Sequence, residues 1–172
     1  MTFELSEEQT LIRDTARQFA DDQLRPHAAR WDDEKVFPVD TLRAAAELGL
    51  AGIYTREDFG GSGLGRTEAA LVFEELSKGC VSTAAFLSIH NMVSWMIDSF
   101  GEDAQRERFI PRLVSMETIG AYCLTEPGSG SDAAALKTKA IREGDHYVLN
   151  GAKAFISGGG AADIYLIMCR YG

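Results

Sequence analysis

Val81-Ser-Thr-Ala-Ala-Phe-Leu-Ser-Ile-His90-Asn-Met-Val-Ser-Trp-Met-Ile-Asp-Ser-Phe100 is the stretch on which the fold turns. It is apolar nearly all round, and twenty residues of helix span about 30 Å, enough to cross a bilayer. Ser82, Thr83, Ser88, His90, Asn91, Ser94, Asp98 and Ser99 make it too polar for lipid. The stretch therefore predicts a buried central helix, packed on all sides by other helices.

The residues before it supply those helices. Ser6 followed by Gln9 is a capping box, and Ile12, Ala16, Phe19, Ala20 and Gln23 or Leu24 keep helical spacing until Pro26 ends or kinks the run. Pro38 suits the first turn of a second helix, which Gly49 stops. Thr67 is expected to cap a third, with Ala70, Phe73 and Leu76 or Ser77 on one face and Glu74 and Glu75 on a solvated or capped face. Glu102–Arg108 begins another, which Pro111 is expected to interrupt before a further short helix.

After residue 118 the period changes from helical to two. Glycine is sparse up to residue 118, with 8 occurrences, and dense after it, with 9 in 54 positions. Gly120–Leu124 reads as a buried strand, and Thr138–Arg142, Gly144-Asp145 and His146–Asn150 as a hairpin. Asn150-Gly151 is a strong turn signal, and Ala154–Ser157 and Ile164–Cys169 read as further strands. The expected fold class is α+β: an all-α helical bundle over residues 1–118, then an incomplete antiparallel β-domain over 119–172.

The 172 residues carry 17 basic and 26 acidic side chains, a net charge of −9. Such a surface repels phosphate backbones and anionic lipid, so neither nucleic acid nor a membrane is expected as a partner. Cys80, Cys123 and Cys169 are odd in number, far apart and without a C-x-x-C pair, which argues against a disulfide framework or zinc site. The opening residues turn acidic at once, with no signal or transit pattern. The expected location is the bacterial cytoplasm, or the mitochondrial matrix as a mature form.

Three glycine-rich stretches invite nucleotide readings. Gly60–Thr67 nearly matches a P-loop, but no buried strand precedes it and Arg66 replaces the lysine. Gly128–Ala133 matches G-x-G-x-x-A, yet only Ala-Ala-Leu follows before strand patterning resumes, so no crossover helix forms. Its glycines, with Thr125, Ser129 and Ser131, still offer amides and hydroxyls suited to a polar, flat or phosphorylated ligand, or else form a tight turn leaving a sheet. Gly158-Gly159-Gly160 reads as a turn. His27, His90 and His146 lack ligand spacing, and His90 reads as a satisfied core histidine.

At Tyr122-Cys-Leu-Thr-Glu-Pro-Gly-Ser-Gly-Ser131-Asp132 the chain resembles the acyl-CoA dehydrogenases, a flavoprotein family. Leu5–Gln9, Glu57–Gly65 and Asn150–Ser157 resemble further segments of that family. Ser88–Met92 through Trp95–Gly101 is most similar to its isobutyryl-CoA dehydrogenase branch, and the resemblance implies that Ser88–Met92 faces the acyl tail, where bulk favours short branched chains. The resemblance implies FAD as cofactor and a short branched acyl-CoA as substrate, oxidised to the 2,3-enoyl-CoA. It also implies electron-transfer flavoprotein as electron acceptor and a homotetramer. It covers the family's N-terminal helical domain and part of its middle β-domain, without the C-terminal helical domain. No residue here takes the catalytic role, because the family's glutamate base is expected beyond Gly172.

Carried onto these positions, the resemblance implies that Tyr122, Cys123, Leu124, Thr125, Glu126, Pro127, Gly128, Ser129, Gly130 and Ser131 form a strand and loop against the flavin. Leu124 and Thr125 lie nearest the ring, and Ser131 also contacts the CoA. Phe155, Ile156 and Ser157 form a second wall, where the family more often has Trp-Ile-Thr. Two alternatives stay open: a non-catalytic flavin- or acyl-CoA-binding module, and an acyl-CoA oxidase.

Overall fold

A computed structural model describes residues 4–171; Met1 to Phe3, part of the opening read for targeting, and Gly172 lie outside the described residues. Six α-helices come first: α1 Glu7–Phe19, α2 Ala28–Asp33, α3 Val39–Glu47, α4 Arg66–Gly79, α5 Val81–Phe100 and α6 Asp103–Val114. Five strands follow: β1 Gly120–Cys123, β2 Lys139–Glu143, β3 His146–Asn150, β4 Ile164–Ile167 and β5 Arg170–Tyr171. The α+β class holds, with a helical bundle followed by small sheets.

Helix α5 has the bounds its sequence predicts, and packs against α4, α6 and β1. Its polar residues are what tie the bundle together. Asn91 is fully buried; its Oδ1 accepts from the Ile53 amide at 2.7 Å and its Nδ2 donates to Leu50 O at 2.8 Å. Asp98 accepts from Arg56 at 3.0 Å and from Arg106 at 3.1 Å. Burial alone would raise the Asp98 carboxyl, but the two guanidinium groups outweigh it and hold it below its usual value. Among the described residues no helix is long and apolar enough to cross a membrane.

The capping box forms, with Ser6 Oγ accepting from Gln9 N and Gln9 Oε1 from Ser6 N, both at 3.1 Å. A π-helical turn over Ala20–Leu24 follows α1 and turns Leu24, one of the two residues the spacing allows, into the core. Four other local expectations are corrected. In α4 the N-cap is Gly65, not Thr67, and Arg66 stacks on the rings of Tyr54 and Trp95. Its buried face is accordingly shifted to Ala69, Val72, Leu76 and Gly79. Glu75 is buried too, paired with Arg17 at 3.0 Å and Lys78 at 2.9 Å. The Arg17 bond, with that of Lys78, outweighs burial and lowers its carboxyl to about 2. Finally, Pro111 lies inside α6. Its missing amide hydrogen leaves a carbonyl one turn back on an exposed face, while Ile110 and Leu113 are fully buried and carry the helix through.

The antiparallel expectation holds only for β2–β3, whose two-residue connection permits nothing else. β1 pairs with β4 in parallel, Gly120 opposite Ile164 and Cys123 opposite Ile167, and β2 pairs with β5 in parallel. The long segment between β1 and β4 supplies the crossover that a parallel pair requires. Ala154–Ser157 is not a strand: Phe155 has φ 57°, outside β geometry, and the segment runs on into a turn.

Candidate functional site

The site grows from the junction of α5 and β1. Gly120 opens β1 where a Cβ would stand 2.9 Å from Val93 Cγ1, so only glycine lets the strand lie this close to α5. His90, fully buried on α5, fastens the junction: the Gly120 amide donates to Nδ1 at 3.1 Å. Nε2 must then carry the proton, which it donates to Leu113 O at 2.9 Å. Burial lowers the imidazole to about 4, so it is neutral at pH 7. The histidine is the satisfied core residue its sequence suggested.

Beyond β1 the chain forms one wall of a concavity of about 210 Å³, lined by Tyr122, Leu124 and Thr125. Phe155, Ile156 and Ser157 form the opposite wall, and Ile89 and Met92 of α5 form the floor. Six of the residues expected at a flavin site are thus brought together across a sequence gap of 29 residues between Thr125 and Phe155. Gly158 holds the second wall in place. Its φ is +79°, and a Cβ there would meet Phe86 Cε2 at 2.6 Å, so α5 abuts the backbone directly.

The remaining expected residues do not line the concavity. Cys123 points to the other face of β1 and is buried; burial raises its thiol, against the partial opposition of Lys153. Glu126 turns inward and is buried. It accepts from the amides of Lys137 at 2.6 Å and Thr138 at 2.8 Å, and from Lys153 Nζ at 2.9 Å. The Thr138 side chain, Lys153 and the Lys137 amide together lower its carboxyl to about 2. Pro127 and Gly128 cross a tight turn closed by Glu126 and Ser129, whose amides and carbonyls bond reciprocally at 3.0 and 3.1 Å. Ser129 Oγ donates to Asp132 O at 2.6 Å. Ser131 is exposed past the turn. A Cβ on Gly128 or Gly130 would meet no atom within 4 Å, so neither glycine is required by packing within the chain.

Lys153, beside the concavity, is a position that motif reading left out, whereas Ile89 and Met92 lie in the Ser88–Met92 stretch that the resemblance sets against the acyl tail. The signal for Lys153 was present: a lone lysine between β3 and Phe155-Ile-Ser, and a lone acid, Glu126, in the Tyr122–Ser131 segment.

The walls suit part of a flat aromatic ligand. Leu124, Ile156 and Phe155 offer apolar surface, and Phe155 is 94% exposed. Among the described residues, the Thr125 amide and the Thr125 and Ser157 hydroxyls have no hydrogen-bond partner within the chain. The volume is below the 300 to 1,000 Å³ of ordinary small-molecule pockets, so it takes one portion of a larger ligand. Among the described residues, no group of three or more His, Cys, Asp or Glu could hold a metal ion, and Cys80, Cys123 and Cys169 are free.

Comparison with known proteins gives this geometry its context. The family model for the acyl-CoA dehydrogenase N-terminal domain matches residues 6–117, and that for the acyl-CoA dehydrogenase middle domain matches 121–172. The chain is 56% identical to the mitochondrial isobutyryl-CoA dehydrogenase of Bos taurus, over 98% of this chain and 40% of that protein. A structure titled as an electron transferring flavoprotein of Acidaminococcus fermentans is 35% identical with a TM-score of 0.91, over 98% of this chain and 45% of that one. An acyl-CoA dehydrogenase from Bacillus anthracis, solved as a complex with FAD, is 34% identical with a TM-score of 0.90, over 98% of this chain and 29% of that one. The chain spans about 40% of the length of the curated relatives it matches. By both domain matches and by the run of its fold, this chain belongs to the acyl-CoA dehydrogenase family.

Proposed function

We propose that the concavity between Tyr122–Thr125 and Phe155–Ser157 holds the ring portion of FAD, in a protein that oxidises a short branched acyl-CoA to its 2,3-enoyl-CoA. The observation that carries this is the meeting of the two segments over Ile89 and Met92 in one concavity. A relative 56% identical, named isobutyryl-CoA dehydrogenase, and a 34% identical neighbour solved with FAD support it.

In this reading residues 1–118 supply the floor and 119–172 the two walls. Leu124, Ile156 and Phe155 offer apolar faces to the ring, and the amide and hydroxyl of Thr125 with the hydroxyl of Ser157 donate to its polar edge. FAD, when bound, supplies the acceptor for the hydride leaving the β carbon. Ile89 and Met92 fill the floor with branched and flexible bulk, which favours a compact acyl group over a long straight one. The turn at Gly128–Ser131, open on its outer side, leaves room for the CoA portion. No residue of this chain removes the α proton; that step falls to a glutamate placed by family resemblance after Gly172. Electron-transfer flavoprotein as acceptor and a homotetrameric assembly complete the proposal, in a bacterial cytoplasm or a mitochondrial matrix.

The test is anaerobic mixing of the FAD-loaded full-length protein with isobutyryl-, butyryl- and octanoyl-CoA. Flavin bleaching should be fastest with isobutyryl-CoA, and the reduced protein should pass electrons to electron-transfer flavoprotein. A preference for octanoyl-CoA would overturn the substrate class. Rapid reoxidation by oxygen in the presence of that acceptor would make the protein an oxidase.

A further inference from the structure

Lys153 joins the two segments that carry the walls of the concavity. Its Nζ donates to Leu124 O at 2.8 Å and to Glu126 Oε1 at 2.9 Å. One residue on, the Ala154 amide donates to Thr125 O at 2.9 Å. The lysine and glutamate side chains are only 10% and 7% exposed, and Glu126 is anchored from behind by the amides of Lys137 and Thr138. Three hydrogen bonds therefore cross from the segment carrying Phe155–Ser157 to the one carrying Tyr122–Thr125, two of them from one buried cation.

We propose that the Glu126–Lys153 pair is a positioning device for the ring site: Glu126 holds Lys153, and Lys153 sets both the separation of the walls and the donor strength of the Thr125 amide. The proposal rests on the flavin reading above. A buried ion pair is a poor way to add stability, since apolar replacements of similar volume often do as well. What this pair adds is placement. The ammonium sits on the carbonyl of the Leu124–Thr125 peptide, and the amide of that same peptide is Thr125 N–H, which has no partner among the described residues. A cation on the oxygen polarises the peptide and strengthens its N–H as a donor. A strengthened donor favours the state of a bound ring that carries more negative charge, the reduced one.

Lys153 and Glu126 then act through Leu124 and Thr125, and neither touches the ligand. Three variants of the full-length protein separate the roles. Lys153→Met removes both crossing side-chain bonds and leaves Glu126 with its two amide donors. Glu126→Gln keeps an acceptor for Lys153 and the Thr138 amide, gives up the bond from the Lys137 amide, and leaves the bond from Lys153 to Leu124 O in place. The double variant E126Q/K153M leaves no buried charge, so it folds even where K153M alone does not. FAD affinity is read by quenching of flavin fluorescence, the two-electron potential by absorbance titration, and thermal stability on the FAD-free form.

Wild type should bind FAD. K153M and the double variant should each bind it ~10-fold more weakly. Their reduced form should lose ~10-fold more affinity than the oxidised form, which lowers the two-electron potential by about 30 mV. E126Q should stay within ~3-fold of wild type with its potential unchanged, because the operative bond survives. The FAD-free double variant should melt near wild type. If K153M or the double variant keeps wild-type affinity and potential while wild type binds FAD, the pair is structural only and this proposal falls alone. If wild type binds no FAD, the flavin reading falls and this one with it.

Discussion

The helical region and the β-unit are held together by different physics. In the helices, Leu24, Leu42, Ile53, Leu76 and Leu87 are among the largest side chains excluded from solvent, in one continuous apolar cluster. In the β-unit beyond Ile119 the buried apolar residues are small, Ala121, Cys123 and Ala140, while Ile141, Leu149 and Tyr171 stand 45%, 47% and 72% exposed. Order there comes from polar staples. Asp163 accepts from Ile119 N at 2.8 Å, Glu126 anchors the amides of Lys137 and Thr138, and Arg170 donates to Leu136 O and Ala134 O, each at 2.7 Å. Apolar closure tolerates shape change poorly but needs no particular partner. A polar staple needs its one partner, and holds a loop where no core exists to hold it.

The contrast predicts where substitutions hurt. Leu87→Ala opens a cavity in the helical core and should cost ~4 kcal/mol in urea denaturation. A loss under 1 kcal/mol would mean that the helical core is no better closed than the sheets.

His90 joins the two regions, so acid should weaken the joint. Its folded value of about 4 lies below its unfolded value of 6.5. Between those values the unfolded chain binds more protons, so this stability is complete above pH 6.5 and is lost as pH falls toward 4. The loss amounts to ~3 kcal/mol. Stability curves from pH 7 to 4 should show it in wild type, and His90→Gln should flatten them over that window. The carboxylates of Glu75 and Glu126, both near 2, act lower. Their stabilisation is complete above the unfolded value of 4.5 and lost as pH falls toward 2.

Gly158→Ala sharpens the comparison at the seam. The added methyl meets Phe86 in a left-handed backbone, a cost of ~2 kcal/mol. FAD affinity should fall with it, since the strained turn directly follows Ser157. Leu149→Ala should cost least of all in urea denaturation, under ~0.5 kcal/mol, because a side chain already half in water has little burial to lose.

The bounds of α5, the Ser6–Gln9 box and the β2–β3 hairpin were legible because each rests on residues close in sequence. That Tyr122–Thr125 and Phe155–Ser157 would lie together was legible by resemblance, through Tyr122–Ser131 and Asn150–Ser157. Pro111 misled because its rule is local, whereas Ile110 and Leu113 are pinned by a core the rule does not see. Glu75 misled because an acid on a helix is ordinarily solvated, and only the arrival of Arg17 from α1 makes its burial tolerable. Ala154–Ser157 misled because its strand-like composition is overruled by Lys153 turning inward and by the positive φ of Phe155.

What the sequence determined by itself was periodicity: helical spacing to residue 118, alternation after it, and a central helix whose polar residues bar it from lipid. Hydrophobic pattern and capping act over a few residues, so they can be read along a line. The tertiary structure alone decided strand direction, the burial of Glu75 and Glu126, and the crossing of Lys153 to Leu124. Each depends on which distant group arrives as partner. Alternation of side chains is the same in a parallel and an antiparallel strand, and a charge is buried or solvated according to whether an opposite charge reaches it.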